Sequence, residues 1–168
     1  MIRLAKNGDL ARITDIFNQA IGSKRAVADI KPFTPAQKEL WFTEQSMNER
    51  TPIYVYEENR SVVGYCYLSA YRPGRQALES IAEISYFIDT NHHRRGIGGR
   101  LVEHTIVKAK ELGYRNLLAI VLSCNERSFA LLEKYGFKLW GALPNILYLD
   151  ENVYSHFYYG LNIKDTND

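Results

Sequence analysis

The chain has 168 residues, 46% hydrophobic and 24% charged, a size and balance that suit one domain with a core large enough to stand alone. Its formal net charge of +2, with no long block of like charge, argues against nucleic-acid and membrane partners and leaves small molecules as the expected ligands. The longest apolar run, residues 117–122, is too short to span a bilayer, and residues 1–6 hold no apolar signal core, so a cytoplasmic protein is expected.

In chain order, residues 2–5 read as a short strand, after which Asn7 or Asp9 caps a helix with Leu10, Ile13, Ile16, Phe17 and Ala20 at helical spacing. Residues 22–33 have no period. Thr34, Pro35 and Gln37 then supply an N-cap, a proline at the first helical position and the return partner of a capping box, so a second helix runs to about Met47. Residues 53–56 and 62–68 are β-branched and aromatic, and the polar connection 57–61 makes them an antiparallel hairpin. After a loop at 71–75, residues 81–88 form a long strand carrying one carboxylate, Glu83. From Gly98 onward Leu101, Val102, Thr105, Ile106, Ala109 and Leu112 share a helical face, closed by Gly113 as a left-handed cap. Residues 117–122 read as a buried strand, 125–135 as a helix, 137–140 and 153–161 as closing strands, and 163–168 as a loose tail. The order is a mixed α/β layer fold, with antiparallel strands early and a strand-helix-strand-helix unit later. Cys66 and Cys124 lie in apolar surroundings and are expected to be buried thiols. His104 and His156 have no partner at ligand spacing, so no metal is expected.

The stretch His93-Arg94-Arg95-Gly96-Ile97-Gly98-Gly99 couples a strand end to a helix start. There unpaired backbone N–H groups and the helix dipole favour an anion. Glycines at 96 and 98 permit close approach, and the successive amides can form an anion-binding nest that fits a pyrophosphate. Alone, such a loop reads equally as a turn without a ligand, and the Arg94 and Arg95 side chains equally as solvated. The dinucleotide fingerprint would need a third glycine where this chain has Leu101, and the Gly-Lys-Ser/Thr of phosphate loops is absent.

The wider context is more specific. A long strand, a basic loop ending Arg-x-Gly-x-Gly, a long helix, an apolar strand, then Asn125 with Ser128 and Tyr135-Gly136-Phe137 resemble the GNAT superfamily of N-acetyltransferases. The likeness is clearest over residues 80–140 and extends more weakly over nearly the whole chain. Within the superfamily the chain is most similar to the phosphinothricin acetyltransferase group. The supporting residues are Asp29-Ile30-Lys31-Pro32-Phe33-Thr34-Pro35 followed by Trp41-Phe42, Arg75-Gln76-Ala77 ahead of Glu83, and Leu139-Trp140-Gly141.

The resemblance implies a mostly antiparallel, twisted GNAT-like sheet flanked by about four helices, with acetyl-CoA as co-substrate. It implies that the backbone of Tyr86, Phe87 and Ile88 pairs with the pantetheine arm and that the amides of Arg94, Arg95, Gly96, Ile97, Gly98 and Gly99 hold the pyrophosphate. Asn125 would contact the coenzyme, or simply cap its helix, or both, and Lys134 would reach the phosphates. Phe33, Arg75 and the stretch from Tyr154 to His156 would line the acceptor pocket, with Arg75 pairing a carboxylate or phosphinate. A homodimer is a habit of the family, and Tyr154, Phe157, Tyr158 and Tyr159 make an aromatic stripe that suits either a core or an interface.

Acetyl transfer to an aliphatic ammonium of pKa roughly 10 needs a base near the thioester. Glu83, on a partly apolar strand that raises its pKa, is the candidate and occupies the family's general-base position. A backbone N–H of Ile88 or its neighbours is the expected oxyanion donor. Many GNAT enzymes carry a Tyr where this chain has Leu132, so water is the expected proton source for the leaving thiolate. Ser155 and Leu78 stand where related enzymes tend to carry Asp and Tyr, a departure at the acceptor end. The expected activity is direct N-acetylation of a small amine, such as an amino acid, phosphinothricin or methionine sulfoximine or sulfone. The rivals are a protein acceptor, disfavoured if residues 22–33 form an ordered lid, and a silent acyl-CoA-binding module.

Overall fold

The computed structural model describes residues 1–163. Its strands are β1 (Ile2–Leu4), β2 (Ile53–Glu58), β3 (Ser61–Ala70), β4 (Ile81–Ile88), β5 (Asn116–Leu122), β6 (Lys138–Leu149) and β7 (Asn152–Asn162). The helices are α1 (Leu10–Ser23), α2 (Pro35–Met47), α3 (Ile97–Glu111) and α4 (Glu126–Lys134). The strands form one sheet in the order β1-β2-β3-β4-β5-β7-β6. Only β4 and β5 run parallel, joined through α3; every other neighbouring pair is antiparallel. This is the mixed, mostly antiparallel sheet with four helices that the sequence implies.

Local chemistry sets most boundaries. The capping box forms as expected: Thr34 Oγ1 accepts from the Gln37 N–H at 3.3 Å, and Gln37 Oε1 accepts from the Thr34 N–H at 2.8 Å. The β2–β3 hairpin turns on Asn59 and Arg60, at φ 51° and 63°, the left-handed pair that suits a two-residue connection, so it is tighter than expected. Asp9 stands at the N-cap of α1, but its carboxylate is taken by the Lys6 N–H and the Arg3 guanidinium and makes no cap bond.

Three expectations need correction. The closing strand expected at 137–140 starts at Lys138 and runs to Leu149; Gly141, Pro144 and Asn145 hide its period. They are tolerated because β6 is an edge strand whose register with β7 shifts twice. Ile163, expected in the tail, is buried and donates its N–H to Arg115 O at 2.9 Å; residues 164–168 lie outside those described. Cys66 is buried, whereas Cys124 is partly exposed, its Sγ 3.9 Å from Arg25 O.

The core has two halves, one on each face of the sheet. Between the sheet and α3/α4 lie Leu68, Ala82, Ile84, Leu101, Val102, Leu117, Ala119 and Leu132. Between the sheet and α1/α2 lie Ile13, Ile16, Phe42, Val55 and Tyr65. Strand alternation therefore turns Tyr86 and Ile88 of β4 toward α3/α4, and Glu83, Ser85 and Phe87 toward α1/α2.

Candidate active site

Parallel strands β4 and β5 pair at Ile81–Asn116, Ala82–Leu117 and Glu83–Leu118, and no further. Beyond Glu83 they part, while β5 continues along β7 as far as Leu122–His156. The β5-side edge of β4 at Tyr86, Phe87 and Ile88 is thus left without a strand partner, the arrangement an extended ligand needs in order to add itself as a strand. The Tyr86 hydroxyl is buried with no hydrogen-bond partner among the described residues, and burial pushes the phenol up to about 12.

β4 delivers the chain to the glycine loop. Arg94 and Gly96 adopt left-handed backbone, φ 62° and 75°, so that successive amides turn toward one point. Among the described residues, none of the N–H groups of residues 94–99 donates a hydrogen bond, and a Cβ on Gly96 would meet open space. A pyrophosphate fits these orphan donors at the start of α3. The helix begins at Ile97, one residue earlier than expected, and Gly98 and Gly99 serve packing rather than ligand approach. A Cβ on Gly98 would lie 3.2 Å from the Leu131 side chain, and one on Gly99 would lie 2.7 Å from Tyr135 Oη. The Arg95 side chain is turned away, forming a two-pronged pair with Glu58 at 2.8 and 3.0 Å. Asn125 caps α4, accepting from the Ser128 N–H at 3.3 Å, and Lys134 is exposed in the last turn of α4.

Sequence reasoning missed what holds this loop. Asp89, 2% exposed, accepts hydrogen bonds from the Asn91 N–H at 3.0 Å, from His92 Nδ1 at 2.8 Å, from Gln19 Nε2 at 3.0 Å and from the Arg12 guanidinium. Burial alone would raise its pKa; the bonds from His92, Gln19, Arg12 and Asn91 outweigh that and hold the carboxyl well below the usual carboxylate range. Gln19 Oε1 also accepts from the Thr90 N–H at 2.8 Å. The loop is pinned to α1, seventy residues away in sequence, so no local pattern announces it.

On the α1/α2 face, Glu83 is the last β4 residue before the strands part, and burial raises its carboxyl above the ordinary range. Around it by strand register stand Ser69 and Tyr67 of β3 and Leu118 of β5. Alternation also turns Tyr154 and His156 of β7 to this face. Phe33 packs at 5.9 Å on Phe17, which meets Phe87 at 5.2 Å. The segment carrying Phe33 is tied down at three points. Asn18 bonds both the N–H and the C=O of Phe33 at 2.8 Å, Lys24 pairs with Asp150, and Cys124 meets Arg25 O. Arg75 does not join this group: it lines a separate cleft with Arg50, Arg72, Glu79 and Tyr114. Leu132 is fully buried in the core.

Among the described residues, no cluster of three or more His, Cys, Asp or Glu could hold a metal ion, and no helix is long and apolar enough to cross a membrane.

Comparison with known proteins agrees with this geometry. The profile of the acetyltransferase (GNAT) family matches residues 14–137. The chain is 35% identical over 154 residues to a Bacillus subtilis protein provisionally named phosphinothricin acetyltransferase YwnH, covering 91% of this chain and 93% of that one. It is 26% identical over 145 residues to the L-methionine sulfoximine/L-methionine sulfone acetyltransferase of Pseudomonas aeruginosa, covering 86% of this chain and 84% of that one. A phosphinothricin acetyltransferase of the GNAT superfamily from Sinorhizobium meliloti, solved with acetyl-CoA, superposes with a TM-score of 0.90 at 25% identity. That match covers 96% of this chain and 87% of that one.

Proposed function

The chain belongs to the acetyltransferase (GNAT) family, whose acyl donor is acetyl-CoA, and from that premise we propose that it acetylates the amine of an amino acid or a close analogue, such as phosphinothricin or methionine sulfoximine or sulfone. The observation that carries the reading is Glu83: a carboxyl raised by burial, at the point where β4 and β5 part, on the face opposite α3 and α4. A base of that kind, poised closer to neutrality than a solvated carboxylate, suits removal of a proton from an ammonium.

Acetyl-CoA, when bound, supplies an acetyl group activated as a thioester. The backbone of Tyr86, Phe87 and Ile88 would pair with its pantetheine arm, and one N–H of this stretch would be the donor for the charge that builds on the carbonyl oxygen. The amides of Arg94, Arg95, Gly96, Ile97, Gly98 and Gly99 would hold the pyrophosphate, with Asn125 and Lys134 of α4 as further coenzyme contacts. Glu83 takes the acceptor's proton directly or through water. Phe33 and Tyr154 bound the acceptor. Cys66, its thiol pushed up to about 12 by burial, is a poor nucleophile, so transfer is direct. Leu132 lacks a proton to give, which leaves the thiolate to water.

Three features favour a small acceptor in a cytoplasmic homodimer. The anchored segment before Phe33 narrows the approach. Leu139, Trp140, Leu143, Ile146 and Tyr148 are exposed along edge strand β6, apolar surface that a second copy would cover. Cys66 and Cys124 are unpaired thiols, as a reducing compartment allows. The test is thiol release from acetyl-CoA against amino acids, their sulfone and phosphinate analogues, polyamines and peptides. Release with the first two groups alone is expected; equal release with peptides overturns the small-acceptor reading.

A further inference from the structure

Lys38, in the first turns of α2, points its ammonium into a cage of aromatic rings. Its Nζ stands 3.8 Å from the ring centroid of Phe17, 4.7 Å from that of Phe33 and 5.0 Å from that of Trp41. The cage is continuous with the face that carries Glu83. Phe17 meets Phe87 of β4 at 5.2 Å, and Trp41 meets Tyr67 of β3 at 5.3 Å. Tyr67 lies opposite Ser85, two residues along the β3–β4 ladder from the pair that Ser69 makes with Glu83 and on the same face.

Ring faces stabilise the charge of an ammonium but do not accept its hydrogen bonds as oxygen does. Among the described residues, no carboxylate lies within ion-pair distance of Lys38 and no protein oxygen accepts from it, although the charge of Asp29 reaches it. Burial accordingly lowers the pKa of Lys38. The result is a half-buried cation with its ammonium held among three rings and its donors unpaired by protein among the described residues. Such a group is already arranged for an anion, because little rotamer freedom remains to be lost when one arrives.

We propose that the Lys38 ammonium is the docking point for the carboxylate of the acceptor, so that this enzyme selects amino acids over amines that lack a carboxylate. The inference rests on the small-amine reading of the active site and narrows it. The coenzyme's phosphates are no rival for this cation, since their orphan amides lie at the start of α3 beyond β4. Arg75 lines another cleft and does not compete with Lys38 for the carboxylate. The carboxylate in turn keeps Lys38 protonated, and Glu83 is left to deal with the ammonium at the other end of the same small molecule.

The experiment is isothermal titration of the CoA-loaded protein with N-acetylglycine, N-acetylmethionine and N-acetylmethionine sulfone, each against its carboxamide. The wild type is expected to bind at least one acid roughly tenfold or more tighter than its amide. Lys38→Met should erase that preference by weakening the acid alone, and Lys38→Arg should retain a good part of it. The proposal is overturned if no acid binds better than its amide in the wild type, or if Lys38→Met weakens acid and amide alike. Because binding is read without turnover, the outcome is separate from the fate of the small-amine reading, which falls if peptides release thiol as well as amino acids and their analogues do.

Discussion

The two faces of the sheet are assembled in different ways. The face proposed for the coenzyme comes from one contiguous stretch, β4 through α4, and offers backbone: a parted strand edge and a run of amides unpaired among the described residues. The face proposed for the acceptor collects α1, the segment at 24–33, α2, β3 and β7, and offers side chains: Glu83, Phe33, Tyr154 and the caged Lys38. Backbone recognition tolerates change in most side chains, whereas side-chain recognition changes with every substitution. One scaffold can therefore keep its donor while its acceptor varies. Asp89 joins the two, a buried carboxylate at the end of β4 gripped by Arg12 and Gln19 of α1.

Substitutions on each side should separate these roles. The largest effect is expected from Glu83→Gln, which should lower kcat/KM by roughly 100-fold or more while leaving acetyl-CoA affinity nearly unchanged. The base works ionised, so wild-type kcat/KM should fall as pH drops through the raised pKa of Glu83, and the variant should lose that limb. A variant with wild-type turnover across pH would remove Glu83 from the chemistry.

Asp89→Asn should come next, at about 3 kcal/mol of stability at pH 7, because it leaves the Arg12 charge without its buried partner. The folded-state pKa of Asp89 is depressed, so its contribution is present above the unfolded carboxylate value of about 4 and is lost as pH falls through the folded value. Chemical denaturation at pH 7 and pH 3 should show the gap between wild type and variant shrinking in acid. A constant gap would mean that charge is not what Asp89 supplies.

Gly99→Ala puts a Cβ against Tyr135 and should cost about 1–3 kcal/mol by thermal unfolding, with acetyl-CoA affinity falling as α3 and α4 are pushed apart. Arg95→Ala should do least, roughly 1 kcal/mol or below, because its half-exposed pair with Glu58 is a surface pair and its amide remains. A large loss of coenzyme affinity in Arg95→Ala would put its side chain, rather than its backbone, on the phosphates.

Legibility in the sequence follows the same division. The capping box at Thr34 and Gln37 and the helical face from Leu101 to Leu112 are patterns within a few residues, and each forms as read; the glycine loop does join a strand end to a helix start, one residue earlier than read. The length of β6 was not legible, because an edge strand tolerates Gly141, Pro144 and Asn145 that would end a central one. Nor was the true work of Gly98 and Gly99, which answers to Leu131 and Tyr135 on another helix.

By itself, then, the sequence determined the order of elements, the family and the donor, because nearest-neighbour spacing decides helix caps, strand alternation and a row of free amides. Tertiary structure alone decided where β4 and β5 part, that Asp89 locks the loop to α1, that Arg75 stands in a cleft apart from Phe33, and that Lys38 is sheathed by Phe17, Phe33 and Trp41. Those contacts join residues far apart along the chain, and no local period encodes a meeting that only packing brings about.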